Sequence, residues 1–270
     1  MAEENDPVSE ADGLPPATRK TKEQWLEEGN VLAFYEPLRR EEGLGAYDQA
    51  IRLDPTYGLA HRMKGYTLRV LKKYEEALVA YDQAISLDAS DADAYTGKGD
   101  TLSDLKQYEE ALSTYELALR LDPTSTEAYT GKAITLIFLN REEEALAAYE
   151  QVFRLEGDPA YTWTAYLNSG TLLASLSRYE EALAAYEEAI RLNPKHGPKS
   201  AFAHVCKGNM LSMLARYEEA LATYEEASHL EPNDVSIWRH IGDVLTALER
   251  PGEAQRAYKK ARQLDSGGEA

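Results

Sequence analysis

Apolar and small residues recur along this chain in a fixed frame. An aromatic stands at Tyr47, Tyr81, Tyr115, Tyr149, Tyr186, Tyr224 and Tyr258, in steps of 34, 34, 34, 37, 38 and 34 residues. Four residues before each is Gly43, Ala77, Ala111, Ala145, Ala182, Ala220 or Ala254. Three residues after each is Ala50, Ala84, Ala118, Val152, Ala189, Ala227 or Ala261. Spacing of i, i+4, i+7 places all three on one helix face, so each copy predicts a helix with a ring flanked by small residues. A second helix is predicted upstream in each copy. Its small residue is Gly29, Gly65, Gly99, Ala133, Gly170, Gly208 or Gly242. A large side chain lies four before (Trp25, His61, Tyr95, Tyr129, Tyr166, His204, Trp238) and a leucine three after (Leu32, Leu68, Leu102, Leu136, Leu173, Leu211, Leu245). A glycine inside a helix costs roughly 1 kcal/mol against alanine. Its recurrence at one phase predicts a partner backbone too close for a Cβ.

Such a unit cannot bury its apolar face alone, and stacked copies bury a continuous seam. The 34-residue pair of helices resembles the tetratricopeptide repeat. The large–small–large stripe, the Ala-x3-Tyr-x2-Ala stripe and the closing Asp-Pro carry the resemblance, as in Ala111, Tyr115, Ala118, Asp122 and Pro123. It covers residues 21–265 as seven units, about 22–57, 58–91, 92–125, 126–162, 163–200, 201–234 and 235–265. It implies an all-α superhelical solenoid. Residues 1–20, acidic and almost free of large apolar side chains, are expected to be a disordered tail. Residues 266–270 are expected to be a flexible end.

Departures from strict spacing mark particular places. Gly29 and Gly43 are 14 apart where later units have 12, and Pro37 is expected to end or kink the first helix. Extra residues near Leu155–Pro159 and Asn193–Ser200 predict two longer turns. In the last unit Gln255 and Arg262 stand where inner units carry apolar residues such as Leu78 and Ile85. A helix without a neighbour should be polar there, so the array is expected to end near Asp265.

Charge narrows the function. With 47 acidic against 29 basic residues the net charge is -18, which disfavours nucleic acid and anionic membranes as partners. No apolar run predicts a transmembrane helix and no secretory signal is evident, so a cytoplasmic protein is expected. Cys206 is the single cysteine and is read as an inert thiol. The paired acids Glu75-Glu76, Glu109-Glu110, Glu180-Glu181 and their equivalents open the second helices, where the helix dipole favours negative charge. The five histidines have no second ligand at i+3 or i+4, so no metal and no cofactor is expected, and no catalytic constellation is present.

The resemblance implies a groove lined by the first helices. Its candidate residues are Asn30 in the first unit and Arg62, Tyr66 and Arg69 in the second. The third and fourth units add Thr96, Asp100 and Ser103, and Thr130, Ile134 and Ile137. The last three add Leu167 and Thr171, Val205 and Asn209, and Arg239 and Asp243. This predicts a basic patch early and an apolar floor in the middle. The carboxylate clamp of chaperone-binding members is incomplete, since Asn30 fits but Leu26, Asp93 and Gly97 do not. The expected function is a non-catalytic scaffold that binds a peptide or protein segment in the concave groove. The alternative is a self-associating structural protein, with residues 1–12 occupying the Arg62/Arg69 patch.

Overall fold

Helix-start and helix-stop chemistry sets the elements in the computed structural model, which describes residues 20–155, 157–192 and 197–266. Thr21 and Gln24 form a reciprocal capping box ahead of α1 (Lys22–Asn30). A single π-helical turn, Val31–Tyr35, carries the helix on. The chain breaks at Glu36 before Pro37, which opens a short 3-10 turn ending at Arg39. The extra residues of the first unit are absorbed here, where proline offers no backbone N–H to continue the helix. Then follow α2 (Arg40–Leu53), α3 (Gly58–Val70), α4 (Tyr74–Leu87), α5 (Ala92–Asp104) and α6 (Tyr108–Leu121). Beyond these come α7 (Thr126–Phe138), α8 (Glu142–Arg154), α9 (Pro159–Ser175), α10 (Tyr179–Leu192), α11 (Gly197–Met213), α12 (Tyr217–Leu230), α13 (Val235–Ala247) and α14 (Pro251–Ser266). The described residues thus form seven helix pairs in two compact units that divide after Pro123. The tail read at residues 1–19, the turn at 193–196 and the end at 267–270 lie outside the described residues.

Six of the pairs turn on a residue held in the left-handed region: Lys72, Lys106, Asn140, Ser177, Ala215 and Glu249, with φ from 53° to 62°. The following N–H reaches back to close the helix end, as in Lys73 N–H to the Leu68 carbonyl at 2.9 Å. The side chains of Asp91, Ser125, Asp158 and Asp234 cap first helices by accepting from backbone N–H groups. The two insertions do not act as longer turns. Each lies at the head of a longer first helix: α9 and α11 run 17 residues where α5 and α7 run 13.

The core follows the phase read from sequence. Tyr47, Tyr81, Tyr115, Tyr149 and Tyr224 are among the largest fully buried side chains, each stabilising by roughly 2–3 kcal/mol. The recurrent glycines face these rings rather than a backbone. A Cβ on Gly29, Gly99, Gly208 or Gly242 would come within 2.4–2.8 Å of the tyrosine of its own pair. Within the first unit α3 touches α5. Within the second α7 touches α9, and α9 touches α11. First helices therefore adjoin one another inside each unit and present a shared face.

Candidate functional site

The first-helix face of the first unit is held by ion pairs. Arg62 on α3 bonds Asp91 at 3.3 Å and also Asp93. Arg69, about two turns further on, pairs with Asp100 at 3.2 Å and Asp104 at 3.3 Å. Burial opposes the charge on Arg69, but Asp100, Tyr81 and Asp104 outweigh it and its pKa rises. The expected basic patch is therefore neutralised, because α5 brings an acid to each guanidinium. Tyr66 stays partly exposed, its ring 5.1 Å from Phe34 and 5.8 Å from the Arg69 guanidinium carbon. Ser103 is half-buried.

Three candidates are placed out of reach of a ligand. Thr96 and Thr130 are each 3 % exposed and donate their hydroxyls to the carbonyls of Ala92 and Thr126. Leu167 is buried among α9, α10 and α11. At this phase the side chain points into the joint between helices, so only long residues such as Arg62 and Arg239 emerge. Val205 is half-buried against the same core, and Arg239 is exposed and pairs with Asp265 at 2.8 Å.

In five of the seven units the ninth position has a structural task. The tyrosine hydroxyl of the second helix donates to it across the pair. Tyr47 bonds Asn30 at 3.0 Å, Tyr115 bonds Asp100 at 2.7 Å, Tyr186 bonds Thr171 at 3.2 Å, Tyr224 bonds Asn209 at 2.6 Å and Tyr258 bonds Asp243 at 2.7 Å. Variation here reflects the several side chains able to accept one hydrogen bond. In the fourth pair the position is Ile134, which cannot accept.

In the second unit two recesses open on the first-helix face at equivalent places. One, of about 290 Å3, is bounded by α7, α8 and α9 and lined by Ile134, Ile137, Phe138, Tyr149, Asn168, Thr171, Leu172 and Ser175. The other, also about 290 Å3, is bounded by α11, α12 and α13 and lined by Asn209, Ser212, Met213, Tyr217, Tyr224, His240, Asp243, Val244 and Ala247. Of these, Ile134, Ile137, Thr171, Asn209 and Asp243 were read from sequence. Asn168 and His240 were missed, although both stand two residues before the core glycine, a phase that faces the tyrosine of the preceding pair. His240 is half-buried and stacked on the Tyr224 ring at 5.2 Å. Cys206 holds the same phase against Tyr186, and burial pushes its thiol up to about 11, far from a nucleophile's range.

Among the described residues no group of three or more His, Cys, Asp or Glu could hold a metal ion, and no helix is long and apolar enough to cross a membrane.

Models of the tetratricopeptide repeat match residues 65–105, 92–125, 126–159, 163–196 and 214–269. Among curated proteins none matches the chain. Solved structures with the same fold include YrrB, described as a tetratricopeptide protein with an unusual peptide-binding site. It is 24% identical at a TM-score of 0.55, over 76% of this chain and 99% of that one. PilF of Pseudomonas aeruginosa is 16% identical at a TM-score of 0.66, over 84% and 97%. MamA of Desulfovibrio magneticus is 19% identical at 0.58, over 66% and 97%. At these identities the likeness is one of fold.

Proposed function

Because this chain belongs to the tetratricopeptide repeat family, we propose that it is a non-catalytic scaffold that holds an extended segment of a partner protein. The segment lies on the first-helix face of the second unit. The observation that carries this reading is the set of large apolar side chains left to solvent there. Phe138 is 57 % exposed and Met213 59 % exposed, each at the edge of a recess. Water contact at such positions favours a partner that covers them. In the first unit Arg62 and Arg69 are already engaged by acids, which leaves less for a ligand to gain. YrrB, of like fold, supports peptide as the ligand class.

The test is selection of a displayed random-peptide library against the full chain, then titration of the selected peptides on variants. Ile137→Asp is expected to weaken binding at least tenfold with helicity retained. Val79→Ser, on an exposed second-helix position of α4, is expected to leave it unchanged. Equal binding by both variants, or no selected peptide, would sink the reading.

A second reading, self-association, is favoured by Tyr35 and Leu38, which project into solvent from the break between α1 and α2. Light scattering across a concentration series should then show a mass increase that Tyr35→Ser with Leu38→Ser abolishes. A constant monomer mass in the parent protein would exclude it.

A further inference from the structure

From the second pair on, the residue just ahead of the core small residue of the first helix is Lys64, Lys98, Lys132, Ser169, Lys207 and Ile241. The residue just after the core tyrosine of the preceding second helix is acidic every time, at Asp48, Asp82, Glu116, Glu150, Glu187 and Glu225. Three of the lysines reach that acid across the joint: Lys64 to Asp48 at 2.6 Å, Lys98 to Asp82 at 2.6 Å and Lys207 to Glu187 at 3.1 Å. The third pair forms across one of the two insertions, so an insertion does not forbid it. Ile241 is buried and fills its joint with its own side chain. Ser169 does neither. It is 2 % exposed, and its hydroxyl turns back to the Tyr166 carbonyl at 3.1 Å. A recess of about 340 Å3 opens beside it, bounded by α8, α9 and α10 and sharing no lining with the two recesses above. Its walls include Leu146, Leu173 and the stacked rings of Phe153 and Tyr166, 3.9 Å apart. Glu150 lines it as well and, among the described residues, touches only Arg154, at 3.3 Å with both side chains more than half exposed. This joint therefore keeps the acid of its siblings and lacks their lysine.

We propose that this recess takes a lysine side chain of a partner protein, its ammonium on the Glu150 carboxylate and its stem along Leu146, Leu173 and Phe153. The inference goes beyond the first-helix groove and does not depend on it. Three features select the occupant. Lysine is the side chain that three sibling joints place on the same acid. The lining sets Glu150, Glu181 and Glu188 against a single Arg178, so it favours a cation. Arg178 is already bound to Glu181 at 2.6 Å, which leaves Glu150 to the ligand. The apolar walls suit the long aliphatic stem that lysine buries while its charged head stays in water, and an acidic side chain satisfies neither wall nor rim. The volume sits at the small end of ligand cavities, which suits one side chain. The net charge of -18 draws a basic partner from further out.

The test is methyl NMR on the full chain with labelled leucine. The ligands are acetyl-lysine methylamide, acetyl-norleucine methylamide, which keeps an aliphatic stem without the charge, and acetyl-glutamate methylamide. The lysine compound is expected to shift the Leu146 and Leu173 methyls saturably. The norleucine compound should bind at least about threefold more weakly, the worth of one part-exposed ion pair, and the glutamate compound should not bind. Glu150→Gln, a change at an exposed side chain, should weaken the lysine compound by the same factor of about three with Tm unchanged. Ser169→Lys supplies the sibling side chain from within the fold and should abolish binding with helicity retained. The Glu150→Gln comparison stands whether or not Ser169→Lys folds. Absence of saturable shifts at Leu146 and Leu173, equal affinity for the norleucine compound, unchanged affinity in Glu150→Gln, or binding kept by a folded Ser169→Lys would each overturn the site.

Discussion

The recess under Tyr149 and the recess under Tyr224 are the same cavity built twice from different side chains. Ile134 answers to Asn209, Ile137 to Ser212, Phe138 to Met213, Asn168 to His240 and Thr171 to Asp243, and both enclose about 290 Å3. In the second recess Tyr224 donates to Asn209 at 2.6 Å and stacks on His240, while the buried group without a partner is the Ser212 hydroxyl. In the first the Tyr149 phenol has Ile134 in place of that acceptor and lies beside Asn168, in a lining that mixes Ile137, Phe138 and Leu172 with Thr171 and Ser175. The repeat backbone therefore dictates where a cavity forms and how large it is. The residues two before, one after and four after the core glycine decide what chemistry it offers.

Substitutions can break or sharpen this contrast. The largest effect is expected at the small residue beside the ring. Gly208→Ala would bring a methyl to 2.6 Å from Tyr224 Cε1 and should destabilise by roughly 1–3 kcal/mol in urea unfolding. Ala133→Gly, its counterpart, removes a methyl that the fourth pair already accommodates and should cost about 1 kcal/mol of helix propensity. Equal losses would mean that the two rings sit alike after all.

Next in size is the hydroxyl. Tyr224→Phe leaves Asn209 without its donor and should cost about 1–2 kcal/mol. Tyr149→Phe should cost less, since Ile134 offers its hydroxyl no acceptor. A Tyr149→Phe loss matching that of Tyr224→Phe would show a bond within the fold.

The turns that close the two hairpins differ in the same direction. Ala215 has φ 57° and Asn140 φ 53°. Alanine tolerates this region poorly and asparagine better. Ala215→Gly should therefore raise stability by about 1 kcal/mol and Asn140→Gly by less, as read from thermal unfolding.

The smallest contrast is in acid. Glu144 bonds Arg141 and Glu219 bonds Arg216, each at 2.7 Å, and in both the arginine bond is the main cause of a carboxyl pKa below 4.5. A folded-state pKa that is depressed contributes stability present above the unfolded value of 4.5 and lost as the pH falls through the folded one. Arg141→Ala and Arg216→Ala should flatten that acid limb slightly and equally, since both pairs are exposed. A clear difference between them would show that the recess chemistry reaches the helix ends.

How much was legible beforehand follows from the range of each interaction. The seven helix pairs, their phase and the burial of the tyrosines were readable because i, i+4, i+7 spacing is a property of one helix. The core glycines were recognised, yet the group opposing them was taken for backbone. Which side chain fills the space across a pair depends on the crossing of two helices. Thr96, Thr130 and Leu167 looked like groove residues by phase, and tertiary packing turned them into the joint. Arg62 and Arg69 looked like a basic patch because Asp91, Asp93, Asp100 and Asp104 lie about one repeat away in sequence and meet them only when α3 and α5 adjoin.

By itself, then, the sequence determined the fold class, the register of the repeats and the odd composition of the fourth pair at Ala133 and Ile134. Only the tertiary structure decided that those two residues sit against a fully buried tyrosine, Tyr149, at a recess that Asn168, Thr171 and Ser175 share with apolar side chains. The reason is physical: periodicity is local and survives in one dimension. Whether a donor is met depends on atoms brought together from three helices, at distances of a few ångströms that no spacing along the chain records.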